Sequence, residues 1–133
     1  MIDYVSILHQ YPNGVLATQD GEGVHTRVFQ FQFTQGGKIY FCTQGFKPVY
    51  SQLIASPNVS FCSCALDFDP VLSINGRAIF TEDIDLKTRV INENPLIKDI
   101  YQTPDNPVFK LFYIDVKEVK TFSFAEGSKS YKI

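Results

Sequence analysis

The chain has 133 residues, 44% of them hydrophobic and including 12 Phe and 7 Tyr, enough to build one domain, residues 1–133, around a real core. Its 12 basic and 14 acidic side chains leave a net charge of −2, and no window gathers five or six like charges, so nucleic acid and acidic membranes have no electrostatic footprint to bind. No stretch approaches the roughly 20 apolar residues of a membrane span, and M-I-D-Y-V-S has no basic region before an apolar run, which makes the cytoplasm the expected location.

Residues 3–10 carry Val5, Ile7 and Leu8 near helical spacing behind Asp3, an N-cap residue type, and predict one short helix that stops before Pro12. Val15 to Thr18 and Val24 to Phe33 are β-rich runs joined through Asp20-Gly21, a hairpin pair. Phe29, Phe31 and Phe33 alternate onto one core face of the second run. Gly36-Gly37 turns the chain again, so Lys38 to Thr43 returns as a third antiparallel strand. Pro48 suits the first turn of a helix that ends before Pro57, with Val49, Leu53 and Ile54 toward the core.

Asn58 to Leu66 and Val71 to Thr81 read as two further strands, with a bulge or close backbone approach at Asn75-Gly76. From Glu82 to Tyr101 the period becomes helical, in two helices meeting at Asn94-Pro95. Val108 to Val116 and Val119 to Phe124 are strands joined by a tight Lys117-Glu118 connection, and Ser130 to Ile133 forms a last short strand. About seven antiparallel strands at hairpin spacing with a few helices predict a mainly β fold, an antiparallel closed or split β-barrel. Cys62 and Cys64 point the same way on a strand as reduced, buried thiols, and with two histidines and no C-x-x-C or H-x-x-x-H spacing no metal site is expected.

Two cations stand out in this apolar β-structure. Arg27 opens the strand T-R-V-F-Q-F-Q-F, and Lys47 follows the next strand where the chain turns into a helix. A phosphate between them gains charge-assisted hydrogen bonds from both side chains and from free N–H groups at the helix start. The competing reading makes Arg27 a cap on the barrel end and Lys47 a solvated loop residue. Strict alternation puts Arg27 on the face of the phenylalanines, so it must lie at the barrel mouth or past a bulge. Gln30 and Gln32 project from the opposite face.

The segments R-V-F-Q-F, G-K-I-Y-F-C-T-Q-G-F-K-P-V-Y-S-Q-L-I-A-S-P-N-V-S-F-C, S-I-N-G-R-A-I-F, N-P-L-I-K-D-I-Y and P-V-F-K-L-F-Y-I-D-V-K-E-V-K-T-F-S-F cover almost the whole chain in order. Together they resemble the small single-domain members of the pyridoxamine 5′-phosphate oxidase-like, FMN-binding split-barrel family. The resemblance implies a split barrel, FMN as cofactor and a homodimer with the flavin at the subunit interface. Carried over to this sequence, it implies that Arg27 and Lys47 hold the phosphate. Val28, Phe29 and Gln30 form the strand beside the flavin ring, and Cys42 and Thr43 end the next strand. Polar side chains such as Gln30 and Gln32 on a strand beside a ring can hydrogen-bond its heteroatoms, or can be ordinary solvent-facing strand positions, the reading that suits Gln32 better. The resemblance also brings the C-terminal tail, with Phe122 and Phe124, toward the flavin pocket.

Two departures separate the chain from true pyridoxine phosphate oxidases. It has no Trp and ends A-E-G-S-K-S-Y-K-I, without their substrate-phosphate segment, and Val71 stands where those oxidases place a flavin-contacting glutamine. The expected activity is therefore an FMN-dependent oxidoreductase passing electrons from a donor such as a nicotinamide nucleotide to an unidentified small molecule. The alternative is a non-catalytic flavin-binding protein for storage, sensing or delivery. F420 or heme is set aside because neither His9 nor His25 sits in a ligand context and the deazaflavin-binding relatives carry more basic grooves. His25, Tyr50 and Tyr113 are weak candidates, and no catalytic residue is assigned. An excess of aromatic residues, Phe41, Phe46, Tyr50, Phe61 and Phe68 among them, predicts an exposed patch for a dimer.

Overall fold

A computed structural model describes residues 3–133. Asp3 caps α1 (Tyr4–Gln10), accepting from the Ser6 N–H at 3.1 Å. Strands β1 (Asn13–Gln19) and β2 (Val24–Gln30) form the first hairpin, with Gly21 at a φ of 89° that a β-carbon would disfavour. After β3 (Phe33–Gln35) and β4 (Lys38–Gln44) comes α2 (Pro48–Ala55), its proline in the first turn. Strands β5 (Asn58–Cys64) and β6 (Val71–Thr81) lead to α3 (Ile84–Glu93) and α4 (Pro95–Tyr101). Asn94 ends one helix and caps the next, its side chain accepting from the Leu96 and Ile97 N–H groups. The chain closes with β7 (Phe109–Ser123) and β8 (Gly127–Lys132).

All strands pair antiparallel, in the order β2-β1-β5-β6-β7-β4-β3, and β8 pairs with β7 beyond β4. Strands β2 and β3 are the two ends of this path, so the sheet is split rather than closed. The fold is the expected one, mainly β, with four helices and eight strands among the described residues. Its main core joins α1 and α2 to the inner sheet face through Leu8, Leu16, Phe29, Phe41, Leu53, Phe61 and Phe112. A second core lies outside β3, β4 and β7, where α3 and α4 cover Phe33, Tyr40, Phe109 and Leu111.

Three local readings change. Phe33 leaves the face of Phe29 and Phe31, because the chain swings between β2 and β3; the Gln32 N–H bonds to the Tyr40 carbonyl, and Phe33 stacks on Tyr40 in the second core. Lys117-Glu118 is no turn, since β7 runs straight through it. Opposite Asn75 and Gly76 the register slips by one residue, moving the buried positions from Phe112, Ile114 and Val116 to Val119. That change of parity mimics the end of a strand. The expected close approach at Gly76 is present, for a β-carbon there would strike the Asp115 backbone. Ile54 faces solvent, while Val49 and Leu53 alone turn inward from α2 as expected.

Candidate functional site

A groove of about 510 Å³ lies between the β2 edge, the end of β4, the start of α2 and the face of α4. Arg27, Val28, Phe29, Gln30, Cys42, Thr43 and Lys47, singled out from three separate stretches of sequence, all line it. Phe29 is buried and roots the groove in the main core, edge-on to Phe41 and Phe112.

Strand β2 supplies a free backbone edge. The Phe31 N–H bonds to the Pro12 carbonyl, which fixes the strand's parity: odd residues turn their peptide groups toward β1. Val28 and Gln30 therefore turn theirs outward to the open side, where backbone donors and acceptors await a partner. One is taken, the Gln30 carbonyl, which accepts from Gln32 Nε2 at 3.1 Å.

The cations sit at one end. Arg27 lies opposite the core residue Leu16 in an unbroken register, so its position is the barrel mouth and not a bulge. Its Nη1 donates to Thr18 Oγ1 at 2.5 Å and its Nη2 to Gln52 Oε1 at 2.7 Å. Lys47 is the N-cap residue of α2 and makes no side-chain cap bond. Among the described residues neither cation is in an ion pair.

The opposite wall is apolar and comes from α4, through Leu96, Ile97, Ile100 and Tyr101. Leu96 is 64% exposed and Ile100 49%, so this wall is a solvent-facing apolar surface beside the groove. Asn94 fastens it to the floor, its Nδ2 donating to Gln30 Oε1 at 3.2 Å and Gln32 Oε1 at 3.0 Å. Sequence reasoning missed Asn94 and the α4 wall as site elements; their helical apolar spacing reads equally as core.

Titratable chemistry in the groove is muted. Burial pushes the Cys42 thiol up to about 12 against the smaller opposing effect of Lys47, and burial together with Cys42 pushes Tyr101 up to about 12. Both are neutral near physiological pH, which makes Cys42 a poor nucleophile. Cys62 and Cys64 do share a face of β5 but are exposed, correcting the expected burial. Titration with a disulfide reagent at about pH 8 is expected to show two fast thiols per chain and one slow one, the slow one absent in Cys42→Ser. Three equally fast thiols would contradict this environment.

The other named candidates lie elsewhere. His25 pairs with Asp20 at 2.5 Å in the first hairpin, Tyr50 stands edge-on to Phe80, and Tyr113 lies under the Lys38 ammonium. Phe41 and Phe61 are fully buried, leaving only Phe46 and Phe68 of the supposed aromatic patch exposed. Within one chain the tail does not reach the groove: Gly127 to Lys132 extends the sheet along β7, with Tyr131 opposite Val119.

A protein of the NimC/NimA family from Clostridium acetobutylicum superposes with a TM-score of 0.87 at 21% identity, over 98% of this chain and 90% of that one. A Listeria innocua protein named for pyridoxamine 5′-phosphate oxidase gives 0.76 at 26% identity, over 89% and 94%. The chain has the pyridoxamine 5′-phosphate oxidase-like split-barrel fold. A heme binding protein from Mycobacterium smegmatis shares the fold, at a TM-score of 0.77 and 18% identity, over 95% of this chain and 55% of that protein. No family model and no curated protein matches the sequence. No helix among the described residues is long and apolar enough to cross a membrane.

Proposed function

We propose that this split barrel binds FMN in the groove and acts as an FMN-dependent oxidoreductase, taking electrons from a reduced donor such as a nicotinamide nucleotide and passing them to a small molecule. The observation that carries the reading is the pairing, in one groove, of two cations without carboxylate partners and the open edge of β2. Arg27, Lys47 and the first turn of α2 suit a phosphate dianion. The outward peptide groups of Val28 and Gln30 suit the hydrogen-bonding rim of a flat heterocycle, with the α4 wall excluding water from one side. Bound there, FMN would supply the redox chemistry that no side chain in the groove offers.

The same muted titration favours a second reading, a non-catalytic flavin-binding protein, because no histidine or carboxylate among the described residues lines the groove. Heme has less support: His9 packs on Phe31 and His25 on Asp20, so neither offers an axial ligand from the groove. A homodimer belongs to the proposal as well. Val28, 73% exposed at the groove's rim, continues into Val15 on the outer sheet face, an apolar strip that a second copy would cover. Three free thiols suit a reducing cytoplasm.

The absorbance spectrum of freshly purified protein tests the reading. Flavin bands that bleach on adding reduced nicotinamide nucleotide and return with an acceptor are expected, from a particle of twice the 15.1 kDa chain mass by light scattering. Flavin bands that never bleach would select the non-catalytic alternative, and a heme spectrum would replace both.

A further inference from the structure

Among the described residues, half-buried Arg27 is held by neutral oxygens alone. Gln52 Oε1, on α2, accepts from Arg27 Nη2 at 2.7 Å and from the Thr18 hydroxyl at 2.8 Å, while Thr18 Oγ1, on β1, accepts from Arg27 Nη1 at 2.5 Å. The three side chains form a closed triangle tying β1, β2 and α2 together. The amide orientation follows from Arg27, a donor with no acceptor atom, since a reversed Gln52 would turn its NH₂ group onto the guanidinium N–H. Thr18 is 1% exposed, so its hydroxyl depends on this triangle.

Counting donors shows what remains for a ligand. A guanidinium has five N–H groups. Thr18 and Gln52 take two, and a longer contact from Nη1 to the His25 carbonyl at 3.3 Å takes a third. The Nε–H and one N–H of Nη2 have no protein acceptor among the described residues, and the charge is uncompensated. A carboxylate in the place of Gln52 would hold the side chain at least as firmly, but would neutralise it.

We infer that Gln52 is a specificity-determining positioning residue: with Thr18 it fixes the Arg27 guanidinium at the groove while leaving its whole charge for a phosphate monoester. The identity of residue 52 then decides whether the groove prefers a phosphorylated ligand over its dephosphorylated form. This rests on the reading of the groove as the FMN site, and it assigns a role to two residues, Thr18 and Gln52, that are not among those lining the groove.

Gln52→Glu is nearly isosteric and changes only the charge at that point. It is expected to lower FMN affinity by about tenfold or more, leave riboflavin affinity within about twofold, and keep the melting temperature equal or higher, because Arg27 gains an ion pair. Gln52→Met keeps the length without the acceptor or the charge, and is expected to fall between wild type and Gln52→Glu in its preference for FMN over riboflavin. The experiment measures FMN and riboflavin binding by fluorescence, and inorganic phosphate binding by thermal shift, for all three proteins. A merely structural role would move the Met and Glu variants alike and riboflavin with them, which overturns the proposal. FMN and phosphate binding by Gln52→Glu within about twofold of wild type also overturns it, as does wild-type protein that responds to neither FMN nor phosphate. If wild type shows no preference for FMN over riboflavin, yet phosphate protects it and not Gln52→Glu, the flavin reading fails while the role of Gln52 stands.

Discussion

Replacing Arg27 or Lys47 by alanine is expected to weaken FMN binding by about ten- to a hundredfold each, since a hydrogen bond to a charged group contributes about 1.5 to 3 kcal/mol. Riboflavin binding should change little, because the lost contacts are to the phosphate alone. The fold should survive Arg27→Ala: Thr18 keeps its bond to Gln52, so no buried hydroxyl is orphaned. Lys47 is exposed and free of protein partners among the described residues, so its loss costs the fold still less. The checks are fluorescence titrations with both flavins and circular dichroism of each variant. Parallel losses for FMN and riboflavin would place the damage in the ring site or the fold and would sink the phosphate clamp.

Phe112→Ala is expected to destabilise the protein by about 3 to 5 kcal/mol, the range for deleting a fully buried aromatic ring. Phe112 has no exposed surface and meets Phe29 at 5.7 Å, Phe41 at 5.6 Å and Phe80 at 5.3 Å between ring centroids. Since whole domains are stable by only about 5 to 15 kcal/mol, this one change removes a large share. It also loosens Phe29, which lines the groove, so flavin retention should fall along with stability. Urea unfolding reads the effect as a lower midpoint at constant slope. A loss under about 1 kcal/mol would mean that the rings do not form the continuous core described.

How far the sequence could be read depended on whether the signal was local. Asp20-Gly21, Gly36-Gly37, Pro48 and Asn94-Pro95 each carry their own backbone chemistry, and each marks the turn or helix boundary expected of it. Lys117 misled because a bulge changes strand parity without ending the strand, and only the pairing with β6 distinguishes the two. Phe33 misled for a related reason: period-two alternation persists across a swing in the chain, although the face it addresses has changed. At the groove, Arg27 and Lys47 were legible as cations in apolar surroundings. Thr18 left a faint trace, a polar residue in phase with the buried Leu16, while Gln52 left none, since a glutamine beside Leu53 on a helix looks like ordinary surface. The Asn94 tether to Gln30 and Gln32 joins residues more than 60 positions apart and belongs wholly to the tertiary fold.

On the proposed reading, the groove recognises the phosphate of FMN through Arg27 and Lys47. Titrating the apo-protein with FMN and, separately, with riboflavin isolates that contact, because the two ligands share the ring and ribityl chain and differ in the phosphate. Quenching of flavin fluorescence is expected at FMN concentrations about tenfold below those needed for riboflavin, a preference of roughly 1.4 kcal/mol. Equal affinity for the two flavins would contradict it.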